Sequence, residues 1–493
     1  MIQLRFLGST IVNSRYTIPP SLAAPEHHDR IVAWVENAIA RVILEHPALR
    51  LDVVNADTKR PTWVAVDELD FTHHITWEDI NDTAGNYEET LRTKIEKRLD
   101  EPYTNLTGRP QWRVLILFKK GVHHPSLDIV FDYSHAFSDG TSGKIFHETL
   151  LRTLNTTTTD GEQNHVLTNR VLKIPPSATP LPPPVEKLGK FSVTAKFAIS
   201  TAWRELRPAG LIASPPAAHA HWAPIQPTPY ATQFRTFDIE AAVLRNILTA
   251  CRAHKTTVTG LLHALILASM AARIKESDAI AFTGSTALDL RRFLGQTAPK
   301  GLEPSRTMAD YVSQTAHVFD ADLVREIRAA AATVSGKDAP PSQPLVDLVW
   351  RCATLVRSEI QKRLDSGLKN DLVGLMRLVS DWRAQFRTEA SKPRPYSFVV
   401  TNLGVLDGGS LDTTTAADVA KDEEEKDRGW TIEHAVFAIS AEVCGAAFQV
   451  SPISVKNGAL CVSCGWQECV VDAELGEGIV ADLARWLRFL GES

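Results

Sequence analysis

No run of about 20 apolar residues, the length a membrane-spanning helix needs, occurs in this chain of 493 residues. The longest mostly apolar stretch, Gly260 to Ala272, carries His263 in its interior, so no membrane span is expected. An excess of one charge is missing as well. Lys plus Arg total 53 against Asp plus Glu 58, a net charge of -5, and no long basic stripe is present to neutralise successive phosphates. Nucleic acid is therefore not an expected partner. Residues Met1 to Pro20 lack the cationic start and apolar run of a signal peptide, since Arg5, Asn13 and Arg15 break them up. A soluble, cytoplasmic protein is expected.

Cysteine is scarce. Six in the whole chain, Cys251, Cys352, Cys444, Cys461, Cys464 and Cys469, are too few for a disulfide framework and fit a reducing compartment. Cys461 and Cys464 form a lone CxxC with no second pair or histidine cluster at zinc spacing. The stretch around them, Ala459 to Val471, reads as a strand with buried thiols. The paired histidines His27-His28, His73-His74 and His123-His124 and the His219/His221 pair lack carboxylate or thiolate company. They are expected as solvated loop residues, and no metal site is expected. GxSxG, P-loop, GxGxxG and HExxH motifs are all absent, which argues against serine hydrolase, nucleotide-binding and zinc-protease chemistry.

What is present is the balance of an ordinary globular protein, 44% hydrophobic and 23% charged, long enough for two or three packed units. A helix is predicted from Asp29, its N-cap, to Glu45, with Ile31, Val35, Ala38, Ile39 and Val42 on one face; Pro47 ends it. Trp112 to Phe118 and Leu127 to Tyr133 read as neighbouring strands. Between Pro175 and Pro229 lie 12 of the 28 prolines, and Pro208 to Phe234 carries no Asp, Glu, Lys or Arg. Most of that segment is expected to be neither helix nor sheet, a crossover between two halves.

Beyond it, Gln233 to Ile239, Ala279 to Leu288 and Tyr396 to Asn402 read as strands. Ala241 to His254, Val258 to Ile274, Leu345 to Leu364 and Leu368 to Phe386 read as helices. Ala435 to Val471 holds three strand-like runs, with a hairpin signal at Asn457-Gly458, and a helix from Gly476 to Leu490 closes the chain. The threonine run Thr156 to Thr159 and the charged run Lys421 to Arg428 are expected as solvated loops. Trp34, Trp203, Trp222 and Trp466 are expected as core or loop anchors. The alternation of strands and helices predicts an α/β protein with an N-terminal half over 1–174, a proline-rich linker over 175–229 and a C-terminal half over 230–493.

One constellation carries chemistry. Directly after the strand Leu127 to Tyr133 stands Ser134-His135-Ala136-Phe137-Ser138-Asp139-Gly140. A histidine with an ordinary pKa near 6.5 can accept a proton from an attacking hydroxyl and return it to a leaving group. Asp139 can fix the loop or the ring, and Gly140 permits a tight backbone exit. Ser142, close by, leaves a Ser-His hydrolase as an enzymatic rival, one that lacks the strained strand-to-helix turn of a nucleophile.

HxxxDG straight after a core strand resembles the active-site signature of the CoA-dependent acyltransferase superfamily. Three further segments agree, in chain order. Glu45-His46-Pro47-Ala48-Leu49-Arg50 looks like its "HPxLR", Asp289-Leu290-Arg291 like its "NxR" segment, and Thr401-Asn402-Leu403-Gly404 like the "SNLG" of condensation domains and alcohol acetyltransferases. Ser134 stands where condensation domains carry a second histidine. The DFGWG motif of the plant branch is missing, with Cys464-Gly465-Trp466-Gln467 only faintly similar. The fungal alcohol acetyltransferase-like branch is the nearest match.

The resemblance implies two chloramphenicol-acetyltransferase-like α/β domains with a channel between them. His135 would be the general base of a direct acyl transfer from acyl-CoA, or from a carrier protein, to a hydroxyl or an amine of a small molecule. Asp139 would face away from substrate and pair with Arg291, and Ser134, Asn402 and Gly404 would line the channel. Acyl-CoA is then a co-substrate, with no resident cofactor and no metal, and a monomer is expected. The alternative is a non-catalytic, condensation-like module that recruits a carrier protein or partner enzyme.

Overall fold

The strand Ser126–Ser134 is buried along its whole length, because both of its faces are covered. Leu127, Ile129, Phe131 and Tyr133 alternate onto one face, where the Phe131 ring stacks on Phe146 of the helix Gly140–Thr156 at 4.0 Å. The other face carries Asp128 and Asp132. Asp128 accepts from Asn13 Nδ2 (2.8 Å), Arg15 Nε (2.8 Å) and the Tyr87 hydroxyl (2.7 Å). Asp132 accepts from the Tyr103 hydroxyl (2.8 Å) and Arg113 Nε (3.1 Å). Buried carboxylates persist only with such partners, so this central strand is fixed in register from both sides.

The chain's structure is a computed structural model that describes residues 4, 6–59, 61–81, 86–103, 108–120, 125–156, 166–176, 181–206, 220–332, 340–409 and 429–492. Its fold is mixed α/β, built on two large sheets. The first runs in the order Thr431–Ile439, Ser9–Thr17, Ser126–Ser134, Trp112–Lys120, Ile75–Asn81. Its last two strands are parallel and the others antiparallel. The second runs Thr232–Ile239, Leu460–Gln467, Ala446–Val455, Tyr396–Val400, Phe282–Asp289, Val312–Phe319, with Gly404–Leu406 paired to Ala446–Val455. Thr431–Ile439 thus comes from the C-terminal part of the chain yet pairs with Ser9–Thr17, Asn13 lying opposite Val436. Backbone hydrogen bonds therefore tie the last third of the chain to the sheet that carries His135.

The expected helices over 241–254 and 258–274 form as Ala241–Ala253 and Val258–Arg273. The second is buried from Gly260 to Ala271, and Thr257 caps it by accepting from the Gly260 N–H at 3.2 Å. The Asn457-Gly458 hairpin joins Ala446–Val455 to Leu460–Gln467, with Asn457 at φ 63°, a left-handed position that asparagine tolerates. Cys461 and Cys464 are buried on that last strand. No single described helix is long and apolar enough to cross a membrane.

Several local expectations differ from the fold. The helix His28–Glu45 buries the predicted face, but Asp29 lies inside its first turn and is not its cap; its carboxylate there favours the positive helix end. The single helix expected over 368–386 is broken into Val373–Met376 and Trp382–Ala390. Asn370 adopts φ 53°, and two carboxylates restart the chain: Asp371 accepts from the Val373 N–H (2.9 Å) and Asp381 from the Ala384 N–H (3.0 Å). The described residues of the proline-rich stretch are mostly irregular, as expected, with two short helices, Val185–Leu188 and Ala195–Leu206, among them; Trp203, expected as an anchor, stands 62% exposed instead. His74 is not solvated. It is buried against Trp112, its ring N–H donates to the Trp112 carbonyl oxygen at 2.9 Å, and burial pushes its pKa down to about 4. His123, His124, His219, Thr157 to Thr159 and Lys421 to Arg428 lie outside the described residues.

Candidate active site

The strand Ser126–Ser134 stops where His135 begins a turn, and the helix Gly140–Thr156 starts five residues later. Asp139 makes that short connection possible. Its Oδ1 accepts from the Ser142 N–H at 2.9 Å, a side-chain cap on one of the free N–H groups of the first turn. Its carbonyl oxygen accepts from the Tyr133 hydroxyl at 2.8 Å, which ties the loop back to the strand that precedes it.

The carboxylate of Asp139 is also gripped from the far side of the molecule. Arg291 Nη1 donates to Oδ2 at 2.6 Å and Nη2 to Oδ1 at 3.0 Å, with both side chains nearly inaccessible. Burial alone would raise the Asp139 pKa; the Arg291 guanidinium and the N–H groups of Tyr311 and Ser142 outweigh it and hold it below the usual carboxylate range. The grip extends to the segment 307–311. Arg291 Nη2 donates to the carbonyls of Thr307 (3.1 Å) and Ala309 (2.8 Å). Tyr311 N–H donates to Asp139 Oδ2 at 2.9 Å, and Ser142 Oγ both donates to the Ala309 carbonyl and accepts from its N–H, each at 3.0 Å.

Those bonds deliver a residue that the sequence does not single out. Asp310, between Ala309 and Tyr311, places Oδ2 3.7 Å from Nδ1 of His135, ion-pair range and longer than a hydrogen bond. A quarter of the His135 side chain, 24%, remains accessible. Burial opposes charge on this ring, and the Asp310 carboxylate, helped by the backbone of His135 itself and then by Asp139, outweighs it and pushes the pKa up to about 9. The ring therefore favours its protonated form more than an ordinary histidine does. Glu442 is a further carboxyl close enough for His135 to act on; burial raises it and His135 works to lower it.

The other predicted residues sit as follows. Ser134 is fully buried, and its Oγ accepts from the Ala136 N–H at 3.3 Å. Gly140 opens the helix without a left-handed φ, and what it supplies is room: a Cβ there would lie 2.7 Å from Cζ of Phe437 and 3.2 Å from Cδ1 of Leu403. Gly404 is the reverse case, with open space around it but φ +77°. Asn402 holds that turn, its Oδ1 accepting from the Gly404 N–H (2.8 Å) while its Nδ2 donates to Thr259 Oγ1 (2.9 Å). Gln111 lies across the sheet from Ser134 and accepts its N–H; its side-chain amide is buried without a partner on either atom. Periodicity marks Gln111 only as the residue before a strand, and nothing in the local sequence signals Asp310.

Among the described residues one group has donors for a metal, Asp238, His434 and Cys461, within 4.8 Å of one another. His434 Nε2 stands 3.0 Å and 3.2 Å from the two Asp238 oxygens. The positive charge of Arg15 acts electrostatically on Asp238 and His434, which opposes a further cation there.

The family model "Alcohol acetyltransferase" matches residues 70–300. A curated relative, "Probable alcohol acetyltransferase FCK4" of Fusarium pseudograminearum, is 28% identical over 470 residues, 93% of this chain and 86% of the relative. "Probable alcohol acetyltransferase crmB" of Aspergillus fumigatus is 24% identical over 486 residues, 95% and 92% of the two chains. Among solved structures, TRI3 trichothecene 15-O-acetyltransferase from Fusarium sporotrichioides shares the fold with a TM-score of 0.68 at 14% identity, over 99% of this chain and 92% of that one. These likenesses bear out the resemblance to the CoA-dependent acyltransferase superfamily, on its alcohol acetyltransferase side, and the expected two-domain α/β fold. They support acyl transfer in general as the activity class.

Proposed function

We propose that this protein transfers an acyl group from the thioester of an acyl-CoA to a hydroxyl of a small-molecule acceptor, with His135 as general base. The observation that carries this reading is the placement of His135: at the end of a rigid buried strand, partly open to solvent, on a loop clamped by the pair Asp139–Arg291. A base must be held before it can be useful.

In this reading the deprotonated ring takes the proton from the acceptor O–H as that oxygen attacks the thioester carbonyl. A C–O bond forms, the tetrahedral intermediate collapses, the C–S bond breaks, and the departing thiolate takes the proton back from the imidazolium. No acyl-enzyme is required, because the thioester is already activated. The base supplies roughly 10²- to 10⁴-fold, and holding both substrates together supplies the rest. Asp139 and Arg291 act on the loop and touch no substrate. Ser142 is unsuited to be a nucleophile, since its hydroxyl is buried and engaged by Asp139 and Ala309. Asn402 and Gly404, held as a turn after the strand Tyr396–Val400, are proposed to border the donor's path.

The test is incubation with acetyl-CoA and a panel of alcohols while free thiol release and acylated product are followed. Turnover that disappears in a folded His135→Ala variant supports the reading, and near-normal turnover in that variant overturns it. Absence of any transfer by the wild-type protein across acyl-CoA and carrier-bound donors favours the recruiting module instead.

A further inference from the structure

We propose that Asp310 is the positioning residue of His135, holding the ring by Nδ1 so that Nε2 is presented to the acceptor hydroxyl; this rests on the reading of His135 as the base. Asp310 Oδ2 is 3.7 Å from Nδ1, whereas the nearer carboxylate in sequence, Asp139, has both oxygens committed to Arg291.

The charged groups facing the ring are few. Asp310 comes from the segment before the strand Val312–Phe319, Asp139 with its partner Arg291 from the clamp, and Glu442 from the segment after Thr431–Ile439. Among the described residues Asp310 is the carboxylate seen in ion-pair range of the ring, at 3.7 Å, while Asp139 is taken up by Arg291 and the Glu442 carboxylate accepts from the Ala446 N–H. Its backbone is fixed on both sides, through Ala309 to Arg291 and Ser142 and through Tyr311 to Asp139. Its Oδ1 is buried with no hydrogen-bond partner, so the side chain performs no capping or turn-forming task that would explain it structurally. The clamp around Asp139 thereby has an output, which is the placement of a carboxylate beside the ring.

A carboxylate at Nδ1 does two things to a histidine base. It favours the tautomer with the proton on Nδ1, which leaves the Nε2 lone pair for substrate, and it stabilises the imidazolium formed when the acceptor is deprotonated. It also raises the ring's pKa, so the free enzyme must lose a proton before it can react. The value of kcat/KM should therefore climb with pH until about 9.

The experiment measures kcat and kcat/KM against pH for wild type, Asp310→Asn and Asp310→Glu, alongside His135→Ala and with the His135 ring titration followed by NMR. Asp310→Asn is expected to move the rate limb and the ring titration to lower pH and to lower the high-pH plateau of kcat by about tenfold to hundredfold, part of the roughly 10²- to 10⁴-fold a general base supplies. KM for acyl-CoA should stay unchanged, and Asp310→Glu should keep the limb high. If Asp310→Asn leaves both limb and plateau unmoved while His135→Ala is inactive, the positioning role is wrong and the base assignment stands. If His135→Ala turns over normally, the base assignment falls and the positioning role falls with it.

Discussion

Arg291 meets Asp139 as a two-pronged fork, Nη1 on one carboxylate oxygen at 2.6 Å and Nη2 on the other at 3.0 Å, with both side chains buried. Such a pair is weak evidence for net stability, because desolvation offsets the attraction; removing one partner strands a buried charge and costs about 3–5 kcal/mol. Arg291→Ala should therefore lower the thermal midpoint strongly, measured by circular dichroism. Arg291→Lys should restore little, since an ammonium cannot reproduce the fork or reach the Ala309 and Thr307 carbonyls together. Asp139→Asn keeps the shape and loses the charge. It should remain folded more often than Arg291→Ala and should fail in acyl transfer, because the segment 307–311 loses its anchor. Wild-type turnover by soluble Asp139→Asn and Arg291→Ala variants would show that the pair is dispensable.

Four buried histidines make the fold sensitive to acid, His263 among them, held well below its ordinary value by burial. Burial is the leading cause that depresses His46, His74 and His147 to about 4. His147 is fully buried, donating from Nε2 to the Val12 carbonyl at 2.9 Å with Nδ1 3.0 Å from the Tyr16 hydroxyl. A folded-state pKa below the unfolded 6.5 means that, as pH falls, the unfolded chain takes up protons that the folded chain refuses. Stability is complete above about 6.5 and declines as pH falls towards 4. At 1.36 kcal/mol for each pKa unit, the ceiling is on the order of 3 kcal/mol for each ring. Urea unfolding at pH 7.5 and 5.0 should show the loss, and His147→Asn, though less stable at neutral pH, should show a smaller pH dependence than wild type.

Much of the scaffold is legible in the sequence because it is written locally. Leu127, Ile129, Phe131 and Tyr133 alternate as a strand must, and Asn457-Gly458 marks a turn that only a residue tolerant of φ 63° can make. What escapes is whatever depends on partners distant in sequence. The pattern of Thr431–Ile439 announces a strand but not that it joins Ser9–Thr17 in the other sheet. The break at Asp371 and Asp381 escapes because a capping carboxylate competes with helix continuation only once its N–H partners are placed. Asp139 and Arg291 are put side by side by two motifs that the resemblance supplies. Asp310 stands in no motif, and it reaches His135 only through the backbone bonds of Ala309 and Tyr311.

The two glycines of the site differ in what they tolerate. Gly140→Ala drives a methyl to 2.7 Å from Phe437, a side chain buried in the core, so overpacking of about 1–3 kcal/mol is expected, with a displaced loop and reduced kcat. Gly404→Ala meets no atom but must hold φ +77°, at a cost of about 1–2 kcal/mol. Asparagine at 404 should cost less than alanine, whereas asparagine at 140 should cost more. Equal midpoints for Ala and Asn at both positions would contradict this division.

Ser142 provides the last discrimination, because a serine seven residues after the histidine invites a hydrolase reading. Its single O–H proton has two acceptors in reach, Asp139 Oδ1 (2.9 Å) and the Ala309 carbonyl (3.0 Å), while Oγ accepts from the Ala309 N–H (3.0 Å) and lies 3.3 Å from Arg291 Nη2. With every direction around the hydroxyl occupied and no accessible surface, it has no path to an acyl carbonyl. Ser142→Ala should cost about 1–3 kcal/mol, since the Ala309 N–H is left without its acceptor, and should retain acyl transfer within about tenfold, the remaining loss coming from a looser segment 307–311. Intact-mass analysis after exposure to acetyl-CoA should find no acylated protein in wild type. A covalent adduct mapped to Ser142, or a loss of turnover as complete as that of His135→Ala in a folded protein, would reverse the order of roles and make the hydroxyl the nucleophile.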